Sequence, residues 1–249
     1  MKKITPILII ILGCLIFVGN AESQWFVDIE SGYVFNGYND VQIPGNTGTR
    51  FSLTDDFQAE SSFFYRLRMG LLLGERHTLS ALFAPLSIQA SGQLDKPVIF
   101  FEEEFSAGVP LDGKYTFNSY RLTYRYALKN SEKWRIGLGF SAKIRDAAVK
   151  LEGEGKTSEK TNVGFVPLLN FLFEYKMTNK ASILLKGDAL ASPGGQGRAE
   201  DVLFAVQYWL SDKMQIRAGY RILEGGADVE EVYNFALLHF ITLGFKYSF

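Results

Sequence analysis

The chain closes on FALLHFITLGFKYSF, residues 235–249. Read back from Phe249, the apolar side chains Tyr247, Phe245, Leu243 and Ile241 alternate with Ser248, Lys246, Gly244 and Thr242. His239, Leu237 and Phe235 continue the first set, and Phe240 stands in the second. A period of two marks a strand whose faces meet two different environments. This strand ends on an aromatic residue of its apolar face.

The opposite end has a different build. Lys2 and Lys3 form a short basic region, Ile7 to Val18 is an apolar run broken only by Gly13, and Gly19-Asn20-Ala21 offers small residues for cleavage. Those are the three parts of a secretory signal peptide. The run is shorter than the ~20 apolar residues of a membrane-spanning helix. Residues 1–21 are therefore read as the leader and 22–249 as one mature domain. Ile11-Leu12-Gly13-Cys14 offers a rival reading as a lipoprotein cleavage box, but Leu15 to Val18 continues the apolar run past the cysteine. Cys14 is the only cysteine. The mature chain then has no disulfide and needs another source of stability.

Period-two alternation predicts strands over 25–35, 60–73, 78–90, 115–128, 134–146, 163–176, 181–190, 200–210, 214–222 and 234–249, an all-β chain of about ten antiparallel strands. Pro85 and Pro167 lie inside two of these, and proline cannot donate to a ladder. They leave eight or twelve strands as alternative counts. Long connections at 36–59, 91–114, 147–162, 191–199 and 223–233 alternate with short ones at Gly74–His77, Lys129–Lys133, Met177–Lys180 and Ser211–Lys213. The loop at 91–114 contains Val98-Ile99-Phe100-Phe101 and Phe105. It is apolar enough to extend strands or to fold over a mouth.

The faces agree with a barrel that is apolar outside. Leu138, Phe140, Ala142 and Ile144 share one face of 134–146, while Gly139, Ser141, Lys143 and Arg145 share the other. Ile216, Ala218 and Tyr220 oppose Arg217, Gly219 and Arg221. Small and charged residues suit a narrow polar lumen. The aromatic share is 14%, with 21 Phe and 12 Tyr. Trp25, Tyr126, Trp134, Tyr175, Tyr208, Tyr247 and Phe249 fall near the short turns. Tyr33, Phe35, Phe63, Tyr65, Tyr220, Tyr233 and Phe235 fall near the long loops. Two such belts mark the two interfaces of a bilayer.

In its leader, its strand rhythm and its Leu243-Phe245-Tyr247-Phe249 ending, the chain resembles small bacterial outer-membrane β-barrel proteins of the OmpA, OmpX and OmpW type. The resemblance implies an up-and-down transmembrane barrel in the outer membrane of a Gram-negative bacterium. It implies long loops outside and both termini in the periplasm. It also implies that Leu243, Phe245, Tyr247 and Phe249 are an assembly signal read by the insertion machinery. The implied surroundings are outer-membrane lipid and lipopolysaccharide, and the implied state is a monomer.

The inward faces hold the basic residues Arg66, Arg68, Arg121, Arg125, Arg135, Lys143, Arg145, Arg217 and Arg221, with Lys186 and Lys246. The matching acids read from the pattern are Asp28, Glu30, Glu174 and Asp188. Like charges in a low-dielectric wall would attract anions. A barrel of this size is instead mostly filled by its own side chains, and unpaired buried charges are costly. A structural or surface-interaction barrel with a mostly plugged basic lumen is therefore the leading expectation. A narrow pore for small anions is the second, and a lipid-modifying enzyme a distant third.

No catalytic, cofactor or metal site is expected. Of the two histidines, His77 lies in a predicted turn and His239 on the lipid face, with no serine two residues on and no nearby Asp. No Cys/His metal spacing occurs. Gly194-Gly195-Gln196-Gly197 is a loop tip without the Lys-Ser/Thr of a phosphate loop. A net charge of −1 gives no reason to expect a nucleic-acid partner. The acidic clusters Asp55-Asp56, Glu102-Glu103-Glu104 and Glu230-Glu231 read as solvated, lipopolysaccharide-facing loops.

Overall fold

The computed structural model describes residues 23–191 and 197–249. The leader and Gly194–Gln196 lie outside the described residues. Ten staves close into one antiparallel barrel. They are β1 (Ser23–Gln42), β2 (Ser62–Leu73), β3 (His77–Ala84, resumed as Ser87–Gln93), β4 (Pro110–Asn130), β5 (Trp134–Gly153), β6 (Lys156–Lys176), β7 (Ala181–Ala191), β8 (Gly197–Trp209), β9 (Met214–Val229) and β10 (Val232–Ser248). Each pairs with the next in sequence, and β10 pairs with β1. Closure leaves no sheet edge at the seam of the termini, where the Phe249 N–H donates to the Trp25 carbonyl at 2.9 Å.

The outer surface is apolar. Leu138 is 49% exposed and Phe140 68%, whereas Ser141 is buried. Ile216 is exposed and Arg217 buried. Gly139 is where two backbones approach closely. A Cβ there would lie 1.9 Å from the Tyr124 carbonyl oxygen. The aromatic rings gather at two heights. Trp134 and Tyr175 are 4.6 Å apart and Tyr247 and Phe249 5.0 Å apart near the short turns, while Tyr33 meets Phe63 at 6.0 Å further up. Ten residues separate Trp25 from Phe35 on β1. At the usual rise and tilt that is about 25 Å, the height of an outer-membrane apolar band.

Three expectations need correction. The segments 36–42, 147–162 and 223–233 are strand, not loop: β1 runs on to Gln42, β5 and β6 run to a turn at Glu154-Gly155, and β9 and β10 to one at Glu230-Glu231. Outside the bilayer the outward face is polar and the inward apolar residues Val149, Leu151 and Leu223 meet a core rather than lipid, so the lipid-facing alternation fades although the ladder continues. Glu154 and Gly155 both have positive φ, 52° and 71°, as a two-residue primed hairpin turn requires. Pro85 interrupts β3 without ending it, because His77–Ala84 and Ser87–Gln93 both pair with β4. His77 is the first residue of β3 rather than part of the turn.

The main apolar core lies inside the loop end of the barrel. Phe100, Phe105, Leu53 and Ile43 from the loops pack with Val34, Leu151, Leu238 and Phe240 from the wall. Val98–Phe100 and Glu103–Phe105 form a small hairpin that folds over the mouth. The Ser106 N–H donates to Glu154 Oε2 at 3.0 Å, clasping this loop to the β5–β6 tip and holding the Glu154 carboxyl below its usual range.

Candidate functional site

The lumen is layered beneath that core. Alternation turns Asp28 and Glu30 of β1, Arg66 of β2, Arg121 of β4, Asp188 of β7, Asp201 of β8, and Arg217 and Arg221 of β9 inward, and all are buried. They meet at mid-barrel. Asp201 Oδ2 accepts from Arg66 at 2.8 Å and from Arg121 at 2.5 Å, and Oδ1 accepts from Arg221. Arg121 also reaches Asp188 at 2.6 Å. Arg217 holds Asp28 at 2.6 Å and Glu30 at 3.0 Å, and Arg221 holds Glu30 at 2.7 Å. Lys186 reaches Asp28 at 3.4 Å. Ser141 and Asn170 donate to the remaining oxygen of Asp188 at 2.5 and 2.8 Å. Every carboxylate of the layer therefore holds at least one cation, and side chains from far-apart strands cross the bore to do it.

On the short-turn side lies a vestibule of about 260 Å³, lined by Arg68, Arg125, Arg135, Lys186, Lys246 and Glu174 among others. Its cations have mostly neutral partners. Arg68 donates to Ser80 at 3.0 Å, Arg125 to Asn170 at 3.4 Å, and the Lys246 ammonium lies 4.5 Å from the Phe26 ring centroid. Glu174 accepts from Ser182 at 3.0 Å and Gln207 at 3.1 Å. On the loop side a larger cleft of about 690 Å³ reaches down beside the apolar core to Arg121, Lys143, Arg145 and Asp201.

The structure thus places Arg66, Arg121, Arg217 and Arg221 in one network. Arg68, Arg125 and Arg135 stand in the vestibule, and Lys143 and Arg145 in the cleft. The sequence reading does not include Asp201 among the inward acids, yet it anchors three guanidiniums. Its parity with Leu203, Ala205 and Gln207, opposite Phe204, Val206 and Tyr208, was the available signal. The histidines meet tyrosines. His77 Nδ1 lies 2.8 Å from the Tyr124 hydroxyl, and His239 Nδ1 hydrogen-bonds with that of Tyr220. Leu243 and Phe245 are exposed on the outer face, and Phe249 ends the strand beside Trp25.

No family model and no curated protein matches the sequence. Solved structures align with it. The outer-membrane protease OmpT from Escherichia coli aligns over 91% of this chain and 97% of its own, with 11% identity and a TM-score of 0.55. Ail, the attachment invasion locus protein of Yersinia pestis, aligns over 90% of this chain and 98% of its own, with 13% identity and a TM-score of 0.37. The OmpT likeness carries the fold alone. That fold, with its apolar exterior, is the one of outer-membrane barrels, and the outer membrane is the location of this chain.

Proposed function

We propose that this protein is a sealed outer-membrane barrel that acts as a structural or surface-interaction element and does not conduct solutes. The observation that carries the reading is the buried layer around Asp201, where Arg66, Arg121 and Arg221 close the bore with paired charges. An ion entering this layer would have to separate buried pairs, at a cost of several kcal/mol. The apolar core above it adds a second barrier. The surroundings on this reading are membrane lipid and lipopolysaccharide, and the chain works as a monomer after insertion by the assembly machinery.

The basic vestibule favours a second reading, a narrow pore for small anions. Purified protein in a planar bilayer separates the two. The sealed barrel gives no steady conductance in potassium chloride. A steady, anion-selective conductance would replace it with the pore.

A further inference from the structure

Among the described residues the barrel wall is incomplete on one side. β6 pairs with β5 from Lys156 to Tyr175, but with β7 only from Leu169 to Lys176. From Lys156 to Leu168 the second edge of β6 has no ladder partner among the described residues. Pro167 sits at the foot of this open edge, where a missing N–H costs nothing. The matching place beside β2 is bridged. There Phe57–Ala59 pairs with Ser87–Gln93, and Ser62 Oγ donates to the Ser87 carbonyl at 3.2 Å. A bare edge cannot stand in hydrocarbon, so the opening lies at the headgroup level of the outer leaflet.

The opening gives onto the 690 Å³ cleft, a volume within the roughly 300–1,000 Å³ typical of small-molecule sites. Three cations line it at the height of the gap, and one of them, Lys160, lies over the Phe101 ring at 4.6 Å. Lys143 is in register with Val166, and Arg145 with Gly164, just above Leu169. Lys143 is 3% exposed and makes no hydrogen bond or ion pair among the described residues. Its ammonium lies 4.6 Å from the Phe117 ring centroid. The acids below it are already taken, Asp201 by Arg66, Arg121 and Arg221, and Asp188 by Arg121. Arg145 has a neutral side-chain partner, Asn162, and its buried Nε has none.

Uncompensated cations against apolar walls match a ligand that is part anion and part hydrocarbon. We infer that the cleft binds a single-chain anionic amphiphile of the outer leaflet. Its carboxylate or phosphate lies on Lys143 and Arg145, and its alkyl chain lies along Val166, Leu168 and Leu190. A small hydrated anion gains nothing from those walls, and a neutral lipid leaves the cations unpaired. The inference is independent of whether the mid-barrel layer conducts.

Photolabelling tests it. The barrel in phosphatidylcholine nanodiscs is irradiated with palmitate carrying a diazirine on its chain, and labelled peptides are mapped. Label is expected on the inward residues of β5 and β6. The double variant Lys143→Gln/Arg145→Gln should lower it about tenfold, the weight of one charge-assisted contact. Ala147→Trp, which fills the cleft from its wall, should abolish it, and Lys246→Gln in the vestibule should leave it unchanged. Dodecyl phosphate should compete, while inorganic phosphate should not. Each variant is checked for folding by its mobility in unboiled gel samples. Inward label that survives both cleft variants, or label confined to outward residues such as Phe140, overturns the proposal. Equal competition by inorganic phosphate would replace the amphiphile with a water-borne anion.

Discussion

Arg66 on β2 and Asp201 on β8 meet across the lumen, Nη2 to Oδ2, at 2.8 Å. The two are not equivalent. Without Arg66, Asp201 keeps Arg121 and Arg221. Without Asp201, Arg66 keeps only Glu30, at 3.9 Å. Asp201→Asn should destabilise the barrel by about 3–5 kcal/mol, the cost of stranding buried charge. Arg66→Gln should cost distinctly less. Urea unfolding in phospholipid vesicles measures both, and the reverse order would mean that Asp201 is not the hub.

The mouth hairpin offers a second contrast. Phe100 is fully buried, while its neighbour Ile99 is 45% exposed. Phe100→Ala should cost about 3–5 kcal/mol through the cavity it leaves, and Ile99→Ala should stay within about 0.5 kcal/mol. The same titration reads both. Equal, small effects would show that the hairpin is not packed into the mouth.

Lipid-phase labelling tests facing. Cysteines replacing Leu138 and Ile216 should react with a lipid-soluble thiol reagent. Those replacing Ser141 and Arg217 should not. Ser141 is the right inward probe because Gly139 has no room for a Cβ. Reaction at Ser141→Cys and silence at Leu138→Cys would turn the barrel inside out.

The chain ending makes a prediction about assembly. Deleting Phe249 should slow or block insertion while leaving export intact, since it removes the terminal aromatic ring and the bond to Trp25. Ser248→Ala, on the inward face, should matter much less. Membrane yield in heat-treated and untreated gel samples reports folded barrel, because a closed barrel resists cold detergent. Equal yields from the two variants would refute the assembly signal.

The wall was legible in the sequence because lipid and lumen impose opposite chemistry on adjacent residues. Leu138 against Gly139, or Ile216 against Arg217, states the facing outright. What lies above the bilayer was not legible. Glu152 to Lys160 has no apolar side chain on either face, so the continuing ladder leaves no period to read. The residues 236–240 are apolar on both faces, a sign that β10 meets lipid outside and a core inside, but nothing local names Phe100 and Phe105 as that core. Ion-pair partners were out of reach for the same reason. Arg66 and Asp201 are joined by the curvature of the barrel, not by any spacing along the chain.

The short β6–β7 ladder also shapes the mechanics of the tube. Leu67–Leu73 against His77–Phe83 is the other brief seam, and it lies on the far side of the β3–β6 sheet. The barrel is therefore two stiff panels joined by two narrow hinges. One hinge is strapped by Phe57–Ala59, and the other has no strap among the described residues. A short ladder opens more readily than a long one, so amide exchange along Leu169–Lys176 should outpace that along the β5–β6 ladder. Among the described residues the molecule is a pipe laced along every seam but one, and that seam comes undone just above Leu169, beside Lys143.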